Sequence, residues 1–399
     1  MSEWREVELG DVATVSWGDT NTTKAAYVES GYMAYSASGP DGLLPHFDHD
    51  EPAIVVSAIG AKCGKTWLAS GKWSCIKNTI WVRAVPDVAT TEFLFHATRD
   101  PDKWPRRGAA QPFISQGDAK QIRVRIPSLN DQDRIGSILS AIDEVIAINE
   151  RRIELLEDLA RSLYREWFVH FRYPGHEKSK FKDSELGAIP AGWDVQPVGE
   201  VLEFIGGGTP SKRKDEFWDG GTVAWYTPSD LTSSAARYTR KSRSCITEKG
   251  LAGSSAKLFP EGSVLMTSRA TLGKLAIARG DSTCNQGFIV ILPNACFGTQ
   301  FVYEWLASEA GRLEQIATGA TFKEITKGAF KKFPILVPES SVLEAFSGHA
   351  DPIGEQIADF ESHNEALKET RDLLLPRLVT GKLDISDIDL GVLEPKEAA

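Results

Sequence analysis

Two glycine-rich stretches carry residue types that could bind a phosphate or a methyl-donor cofactor. Gly60 to Thr66 reads GAKCGKT and resembles a phosphate-binding loop, but three residues separate its glycines where that loop has four. Phe204 to Gly208 reads FIGGG and fits the F-x-G-x-G pattern of adenine-methylating enzymes. Those enzymes also carry an Asp/Asn-Pro-Pro-aromatic motif, and this chain contains no Pro-Pro dipeptide. Neither stretch therefore predicts nucleotide hydrolysis or methyl transfer by this chain.

Acidic residues and histidines also fall short of a catalytic or metal-binding arrangement. Asp102, Asp118 and Lys120 can be fitted to the spacing of a nuclease motif, but Asp118 is matched by Ala329 in the internal repeat described next. The segment HFDHDE holds two histidines, yet its acidic composition favours a solvated loop over a metal site. No Ser-His-Asp or Cys-His set follows from spacing. The sequence therefore predicts a binding protein with no catalytic residue and no metal.

The elements that would position functional side chains occur twice in the chain. Gly319 to Pro338 repeats Gly108 to Pro127, and the two stretches share Gly, Ala, Ile, Gly, Lys and Pro at the same spacing. Two upstream pairs of segments repeat in the same order, and each copy reads as strands joined by a polar Gly-Lys turn. A long helical pattern follows each copy. The predicted fold class is α+β, with two mixed-sheet domains in tandem repeat.

The two helical patterns have the 4-3-4-3 spacing of a coiled-coil seam. We predict that the helices pair antiparallel, with pseudo-two-fold symmetry, as a rod that separates the sheet domains; packing of each helix on its own domain is the alternative. In an antiparallel pair the residue numbers of facing positions have a constant sum, and the sum that places Asn149 opposite Asn364 makes the other facing pairs apolar. One pair is weak: Ile142 faces Arg371, whose guanidinium would have to extend to water. The seam residues are Ile142, Ile146, Asn149, Ile153, Leu156, Ile353, Ile357, Phe360, Asn364 and Leu367.

Composition and the positions of residues that break helices and strands divide the chain into six segments. The predicted segments are a first sheet domain (1–127), a central helical spacer (128–170), a linker rich in Gly, Pro, Lys and Ser (171–193), a second sheet domain (194–338), a C-terminal helical spacer (339–385) and an acidic tail (386–399).

Charge and composition limit the compartment and the partners. A hydrophobic content of 42% and a charged content of 25% are ordinary for a soluble protein. The net charge is −10, but the acidic excess lies in the helical segments and the tail, so the sheet domains remain compatible with DNA. No signal-peptide core, membrane-length apolar run or C-x-x-C pair is present. We therefore expect a reduced, cytoplasmic protein.

Several fragments resemble one family specifically. ETRDLLLPRLVTGKLDI (369–385) resembles the C-terminal signature of the specificity subunit of Type I restriction-modification systems. LEDLARSLYREWFVHF, followed by ELGAIPAGWDVQPVGEV and GGTPSK, resembles that family's central region and second target recognition domain. The first domain departs from the pattern, since GDTNTTKAAYVESG stands where the second has GGGTPSKRKDEFWDG. This departure affects how its first loop would approach DNA.

The resemblance implies a function and a set of partners. It implies a non-catalytic subunit that reads the two halves of a split double-stranded DNA target, one with each domain, and directs adenine methylation and restriction. Its partners would be two methyltransferase subunits and the restriction/translocase subunits. S-adenosylmethionine and ATP would belong to those partners, so no cofactor is expected in this chain.

Polar and basic residues on equivalent turns are the candidate DNA readers, because Arg and Lys suit guanine and phosphate while Gln suits adenine. They are Lys62, Lys65, Arg106, Arg107, Gln111 and Ser115 in the first copy, and Lys212, Arg213, Arg269, Lys274, Thr321 and Lys323 in the second. Two other functions stay open: a rod-like adaptor with two peptide-binding ends, and a fused methyltransferase-specificity protein. The adaptor predicts no DNA sequence preference, and the fused enzyme would need the missing catalytic motif.

Overall fold

The computed structural model describes residues 4–269, 271–319, 323–383 and 385. The chain forms two compact units, Met1–Ala147 with Glu365–Ala399, and Ile148–Asn364. In the described ranges no helix combines the length and the apolar character that a membrane crossing requires.

The first unit contains a four-stranded sheet of order β2-β8-β5-β6, a three-stranded sheet of order β4-β3-β7 and the pair β1-β9. Strand β5 of the four-stranded sheet is mostly apolar and is buried along its whole length, which is typical of a strand covered on both faces. The elements are β1 Arg5–Glu8, α1 Leu9–Val12, β2 Ala13–Trp17, β3 Tyr32–Ser36, β4 Gly39–Leu44, β5 Ala53–Ser57, β6 Thr66–Ala69, β7 Trp73–Cys75, β8 Thr79–Ala84, α2 Thr91–Thr98, α3 Gln116–Lys120, β9 Arg123–Ile126 and α4 Leu129–Tyr164, which continues into the second unit.

The second unit repeats this arrangement. Its sheets have the orders β13-β20-β17-β18-β15 and β16-β14-β19, with the pairs β12-β21 and β10-β11. The elements are β10 Phe181–Ser184, β11 Gly187–Pro190, β12 Asp194–Pro197, α5 Val198–Val201, β13 Phe204–Gly206, β14 Val223–Tyr226, α6 Pro228–Thr232, β15 Tyr238–Thr239, β16 Ser244–Ile246, α7 Glu248–Ala252, β17 Val264–Thr267, β18 Leu275–Ala278, β19 Ser282–Cys284, β20 Phe288–Ile291, α8 Thr299–Ser308, α9 Ala310–Gln315, α10 Lys327–Lys331, β21 Pro334–Val337 and α11 Ser340–Leu378, which continues into the first unit. The predicted tandem α+β repeat is confirmed.

The two long helices begin directly after strands β9 and β21, where Pro127 and Pro338 follow the last strand residue. Helix α4 has 36 residues and α11 has 39. Ser128 caps α4, since its hydroxyl accepts the Asp131 N–H. A helix of 36 residues extends about 54 Å at 1.5 Å per residue.

The helices pair antiparallel within each unit. In the second unit Ala160, Ile353 and Ile357 form a buried cluster against Ile153 and Leu156. In the first unit the same two helices contribute to the core of the sheet domain, so packing between helices and packing on the domain both occur. Five predicted seam residues are buried (Ile146, Asn149, Ile353, Ile357 and Asn364), and five are half-buried (Ile142, Ile153, Leu156, Phe360 and Leu367).

The prediction for the weak pair of the seam, Ile142 against Arg371, was wrong in one respect. The Arg371 side chain does not extend to water and is only 14% exposed. Its Nη1 donates to Asp143 Oδ1 at 2.8 Å, beside Ile142, and its Nη2 donates to Asp372 at 2.9 Å. A carboxylate on the facing helix α4 and a carboxylate on the next residue of α11 therefore satisfy the guanidinium. An argument from the apolar stripe alone does not consider such partners.

The segment predicted as a linker, 171–193, is folded into the second unit. It contains the β10-β11 hairpin, and Trp193 and Ile189 are at most 1% exposed. Tyr173 stacks on Trp193 with ring centroids 5.0 Å apart. Its Gly, Pro, Lys and Ser content suggested a linker, whereas its aromatic side chains supply apolar area to the core.

Candidate nucleic-acid interface

In the first unit, a glycine turn and a basic loop lie side by side. The turn joins β5 to β6 and carries Lys62 and Lys65. Ile59 forms a β-bridge with Phe113, and Phe113 forms another with Arg107. Two backbone hydrogen bonds, Gly60 N–H to Pro112 O and Ile114 N–H to Ala58 O, are each 2.9 Å long. We call these segments, 58–65 and 106–114, the first loop pair.

The second unit builds the same arrangement from its own copy. Arg269 forms a β-bridge with Glu324, and Glu324 forms another with Thr318. The Ile325 N–H donates to Ser268 O at 3.0 Å, in the same way as Ile114 to Ala58. We call the described residues of these two segments, 268–269 with 271–274 and 318–319 with 323–325, the second loop pair. The structure thus places Arg269 beside the segment that carries Lys323, whereas Lys274 directly precedes strand β18.

Positive backbone φ angles shape both turns. Gly64 has a φ of +90° and Gly273 has a φ of +71°, a region that L-residues with a Cβ rarely adopt. At Gly64 a Cβ would also lie 2.8 Å from Pro101 O. The glycines of GAKCGKT therefore serve a tight turn between antiparallel strands, which differs from the strand-to-helix position of a phosphate-binding loop.

The cations of the first loop pair are partly engaged within the protein. Arg106 donates to Pro101 O at 2.8 Å and to Asp102 at 2.9 Å. Arg107 donates to Asp118, and this hydrogen bond, followed by one from Ser115, holds the pKa of Asp118 below its usual value. The Lys62 Nζ donates to Ser38 O at 3.1 Å.

The side chains of the remaining predicted readers of the first unit differ in whether they have a partner within the protein. The Lys65 ammonium lies 5.7 Å from the Trp67 ring centroid. The Gln111 side chain is exposed. Ser115 caps helix α3 by accepting the Asp118 N–H, so its hydroxyl has a structural role in addition to the predicted one.

In the second unit, the predicted readers form two groups. Arg269 pairs with Glu324 at 2.8 Å, and Lys323 pairs with Glu314 at 3.0 Å. Lys212 and Arg213 are exposed on the glycine-rich loop after β13. Within the described ranges, neither of these two side chains makes an ion pair. Two predicted readers remain: Lys274 is exposed at the end of its turn, and Thr321 lies outside the described residues.

In each unit, a turn that sequence analysis did not select joins the first loop of the domain to the loop pair. In the second unit Thr209 Oγ1 donates to Gln286 Oε1 at 2.6 Å, and the Ser268 N–H donates to Gly287 O at 2.8 Å. The exposed amide of Gln286 therefore lies between the Lys212 loop and the second loop pair.

The first unit has an equivalent turn. The Lys77 N–H donates to Thr22 O at 3.1 Å, and the Ala58 N–H donates to Asn78 O at 3.0 Å. Asp19 N–H bonds Cys75 O just as Gly208 N–H bonds Cys284 O, so the two dissimilar first loops share one anchor. Lys77 and Gln286 are thus additional candidate readers. The repeated Cys followed closely by Asn in both copies was the available sequence signal.

The described residues contain no group of three or more His, Cys, Asp or Glu side chains that could hold a metal ion. Burial raises the pKa of the Cys75 and Cys284 thiols to about 12, so both are neutral core residues at physiological pH. The polar surface of each unit can donate and accept hydrogen bonds, and it offers cations to phosphate groups.

This tandem fold carries one polar loop pair on each copy, so the chain presents two related polar surfaces. Comparison with known proteins identifies its family. The family model described as the Type I restriction modification DNA specificity domain matches residues 1–158 and 190–361. The chain therefore belongs to the family of Type I restriction-modification specificity subunits.

Relatives and a solved structure agree with this assignment. The HindI specificity subunit of Haemophilus influenzae is 23% identical, with 96% of this chain and 100% of that one covered. The MjaIX specificity subunit of Methanocaldococcus jannaschii is 32% identical over 205 residues, which are 51% of this chain and 46% of that one. This match thus spans less than half of the MjaIX subunit. The crystal structure of the S subunit from M. genitalium has the same fold, with a TM-score of 0.68, 16% identity and 94% and 96% of the two chains covered.

Proposed function

We propose that this chain reads a bipartite double-stranded DNA target and directs adenine methylation and restriction by partner subunits. The observation that carries the proposal is the duplicated loop surface: each unit holds a loop pair built by equivalent β-bridges, Ile59–Phe113 with Arg107–Phe113, and Arg269–Glu324 with Thr318–Glu324. Two related surfaces on one chain suit a target with two halves. The long helices would fix the gap between the halves.

The two kinds of cation would do different work on DNA. Exposed cations without an internal partner, such as Lys212 and Arg213, suit phosphate contacts that set position. Cations held in internal ion pairs, such as Arg106 and Arg269, are oriented before DNA arrives, which favours directional hydrogen bonds to base edges. Gln111 and Gln286 offer the amide geometry that pairs with adenine.

The chemistry would reside in the partners. Two methyltransferase subunits would supply S-adenosylmethionine chemistry, and restriction/translocase subunits would use ATP, while this chain performs no bond making or breaking. An exposed apolar stripe on α4 is the face that we assign to a methyltransferase partner. Its members are Val145 (39% exposed), Ile148 (44%), Leu155 (52%) and Leu159 (53%).

Replacement of residues 1–127 by the matching domain of a relative tests the modular reading. Mapping of methylated adenines in cells should show one half of the motif changed and the other half retained. A change in both halves would contradict one-domain-one-half recognition. A chain that supports no sequence-dependent methylation and shows no DNA preference with its methyltransferase would favour the peptide-binding adaptor.

The partner face has its own test. Leu155→Asp with Leu159→Asp should abolish co-purification of the methyltransferase subunit, because charged side chains cannot be buried there without a partner. Glu154→Gln with Asp158→Asn, exposed changes on the same turns, serves as the control. If the variant with Leu155→Asp and Leu159→Asp still co-purifies with the methyltransferase subunit, this face is not its binding site.

A further inference from the structure

A buried arginine links a sheet edge to a helix in the second unit. The Arg237 side chain is only 2% exposed and directly precedes strand β15. Its Nη1 donates to Glu304 Oε1 and its Nη2 to Gln300 Oε1, both at 2.7 Å, on helix α8. Its guanidinium carbon lies 3.9 Å from the ring centroid of Tyr303. A buried guanidinium requires such partners, so its position is closely constrained.

Helix α11 holds the backbone of the same segment. The Glu361 carboxylate accepts the Arg237 N–H at 2.6 Å through one oxygen and the Tyr238 N–H at 3.0 Å through the other. The Gln300 Nε2 donates to the Tyr238 hydroxyl at 2.8 Å. Helices α8 and α11 therefore hold edge strand β15 and the residue before it, through two backbone N–H groups and through the side chains of Arg237 and Tyr238. We call this set, Arg237, Tyr238, Gln300, Glu304 and Glu361, the β15 clasp.

A glycine in α11 makes room for the clasp. At Gly354 a Cβ would lie 2.3 Å from Gln300 Nε2 and 2.6 Å from the Tyr238 hydroxyl. Glycine inside a helix is destabilising relative to alanine. Its presence at this position is explained by the close approach of those two side chains.

The clasp connects directly to the second loop pair. Strand β15 pairs with β18 in parallel, with Tyr238 opposite Ile277. Strand β18 begins at Leu275, immediately after the turn that carries Lys274. One strand pair thus connects Glu361 on the helix with a predicted DNA-reading turn.

The first unit uses a different attachment at the corresponding place. His96 is the sixth residue of α2, as Glu304 is of α8. His96 Nε2 lies 3.1 Å from Ser140 Oγ on α4, and Arg99 pairs with Asp143 on the same helix. The repeat therefore preserves the sheets and the loop pairs but not the way in which each domain is attached to the helices.

We propose that Glu361 is a positioning residue, which fixes the second recognition domain on α11 and so sets the gap at which the second half-site is read. This inference rests on the proposed bipartite function. Glu361 does not touch DNA in this proposal; it acts through β15 and β18 on the second loop pair.

The test is Glu361→Gln in the full chain with its methyltransferase partner. An amide can accept the two N–H groups only through its single oxygen, so its –NH₂ must face a donor. Burial, aided by neighbouring Glu157, raises the pKa of Glu361 to about 7 despite the two backbone hydrogen bonds, so binding is measured at pH 8, where the wild type is ionised. Exposed Glu355→Gln on the same helix is the matched control.

The readout is discrimination between DNA with the native gap and DNA with a gap one base pair longer. We expect Glu361→Gln to reduce this discrimination by about tenfold, with the first half-site still read as in the wild type, and Glu355→Gln to leave it unchanged. Wild-type discrimination in folded Glu361→Gln, or loss of reading at both halves, would overturn the proposal.

A second variant keeps the test decisive if Glu361→Gln does not fold. Tyr238→Phe removes only the hydroxyl that accepts from Gln300, and it should shift gap discrimination in the same direction by a smaller factor. An unchanged gap preference in folded Tyr238→Phe would then refute the clasp as a positioning device. A wild-type complex without preference for any split motif would instead refute the proposed function.

Discussion

Asn149 and Asn364 form a direct amide pair between helices α4 and α11. The Asn149 Nδ2 donates to Asn364 Oδ1 at 2.9 Å, and the residues are 2% and 4% exposed. His363 Nδ1 also lies 3.4 Å from Asn149 Nδ2. Among apolar neighbours, an amide pair satisfies itself only when the two residues face each other, so it opposes slipped registers.

Substitution at this pair should show strong coupling. Asn149→Ala should lower the free energy of unfolding by about 1–3 kcal/mol, because the buried Asn364 amide loses a partner. The double variant Asn149→Ala with Asn364→Ala should lose less than the sum of the two single Ala changes. A double-mutant cycle in urea measures this coupling. Asn130→Ala, an exposed change near the start of α4, is the control, and additive effects would contradict the pairing.

Asp143 should be the most sensitive ion-pair residue of the first unit. Its carboxylate binds both Arg99 and Arg371. Burial alone would raise the pKa of Asp143, but hydrogen bonds from Arg371 and Arg99 outweigh burial and hold it below its usual value. Because the folded-state pKa is lowered, the stabilisation is present at neutral pH and lost as the pH falls through that pKa.

We expect Asp143→Asn to reduce the free energy of unfolding by about 1.5–3 kcal/mol at pH 7. Asp372→Asn is the matched control, since Asp372 also binds Arg371 but is 64% exposed; it should cost less than about 1 kcal/mol. Urea denaturation of both variants provides the comparison. Equal losses would show that burial of Asp143 is unimportant.

His96 should make the first unit sensitive to acid. Burial lowers its pKa from 6.5 to about 4, and its Nδ1 has no hydrogen-bond partner within the described structure. The unfolded chain therefore takes up a proton first, and stability is complete above pH 6.5 and falls as the pH drops toward 4. The full difference is on the order of 3 kcal/mol.

His96→Gln should remove this component of the pH dependence. Urea denaturation between pH 7 and pH 4 should give a shallower decline for His96→Gln than for the wild type. His46→Gln, a change at a histidine that is 57% exposed, should follow the wild type. Parallel curves for all three proteins would exclude His96 as the acid-sensitive group.

Lys323 should exchange an internal carboxylate for DNA. It pairs with Glu314 at 3.0 Å, and both side chains are more than half exposed. Lys323→Ala should weaken DNA binding and lower the salt slope by about 0.9 if the contact is to one phosphate. Glu314→Gln should tighten binding, because it removes the competing partner. Lys180→Ala, an exposed lysine outside both loop pairs, is the control. Wild-type affinity, salt slope and base preference in Lys323→Ala would remove it as a reader.

The repeat and the long helices could be derived from sequence because their signals are local and periodic. Buried strands such as β5 and β17 are continuous apolar runs, and the seam repeats at heptad spacing over both helices. The register of the two helices followed in the same way, because the residue numbers of facing positions have a constant sum in an antiparallel pair and only one sum pairs Asn149 with Asn364. The polar turns were located because each recurs in both copies.

The folded segment 171–193 and the candidate readers Lys77 and Gln286 could be found only from the folded chain. Composition averages a segment, so it concealed the few aromatic side chains that bury Trp193. Lys77 and Gln286 were missed because their turns meet the loops that follow β2 and β13 through hydrogen bonds between segments far apart in the chain.

The sequence by itself determined that this protein consists of two copies of a strand-rich unit and a helix, with polar turns at equivalent places. Only the tertiary structure decided which polar residues are attached to the scaffold and which face outward. Arg237 reads as an ordinary surface cation in a serine-rich loop, yet it is buried against Glu304 and held by Glu361, 124 residues further along the chain. The physical reason is that burial and hydrogen-bond partners depend on which distant segments the fold brings together, and periodicity contains no record of such pairs.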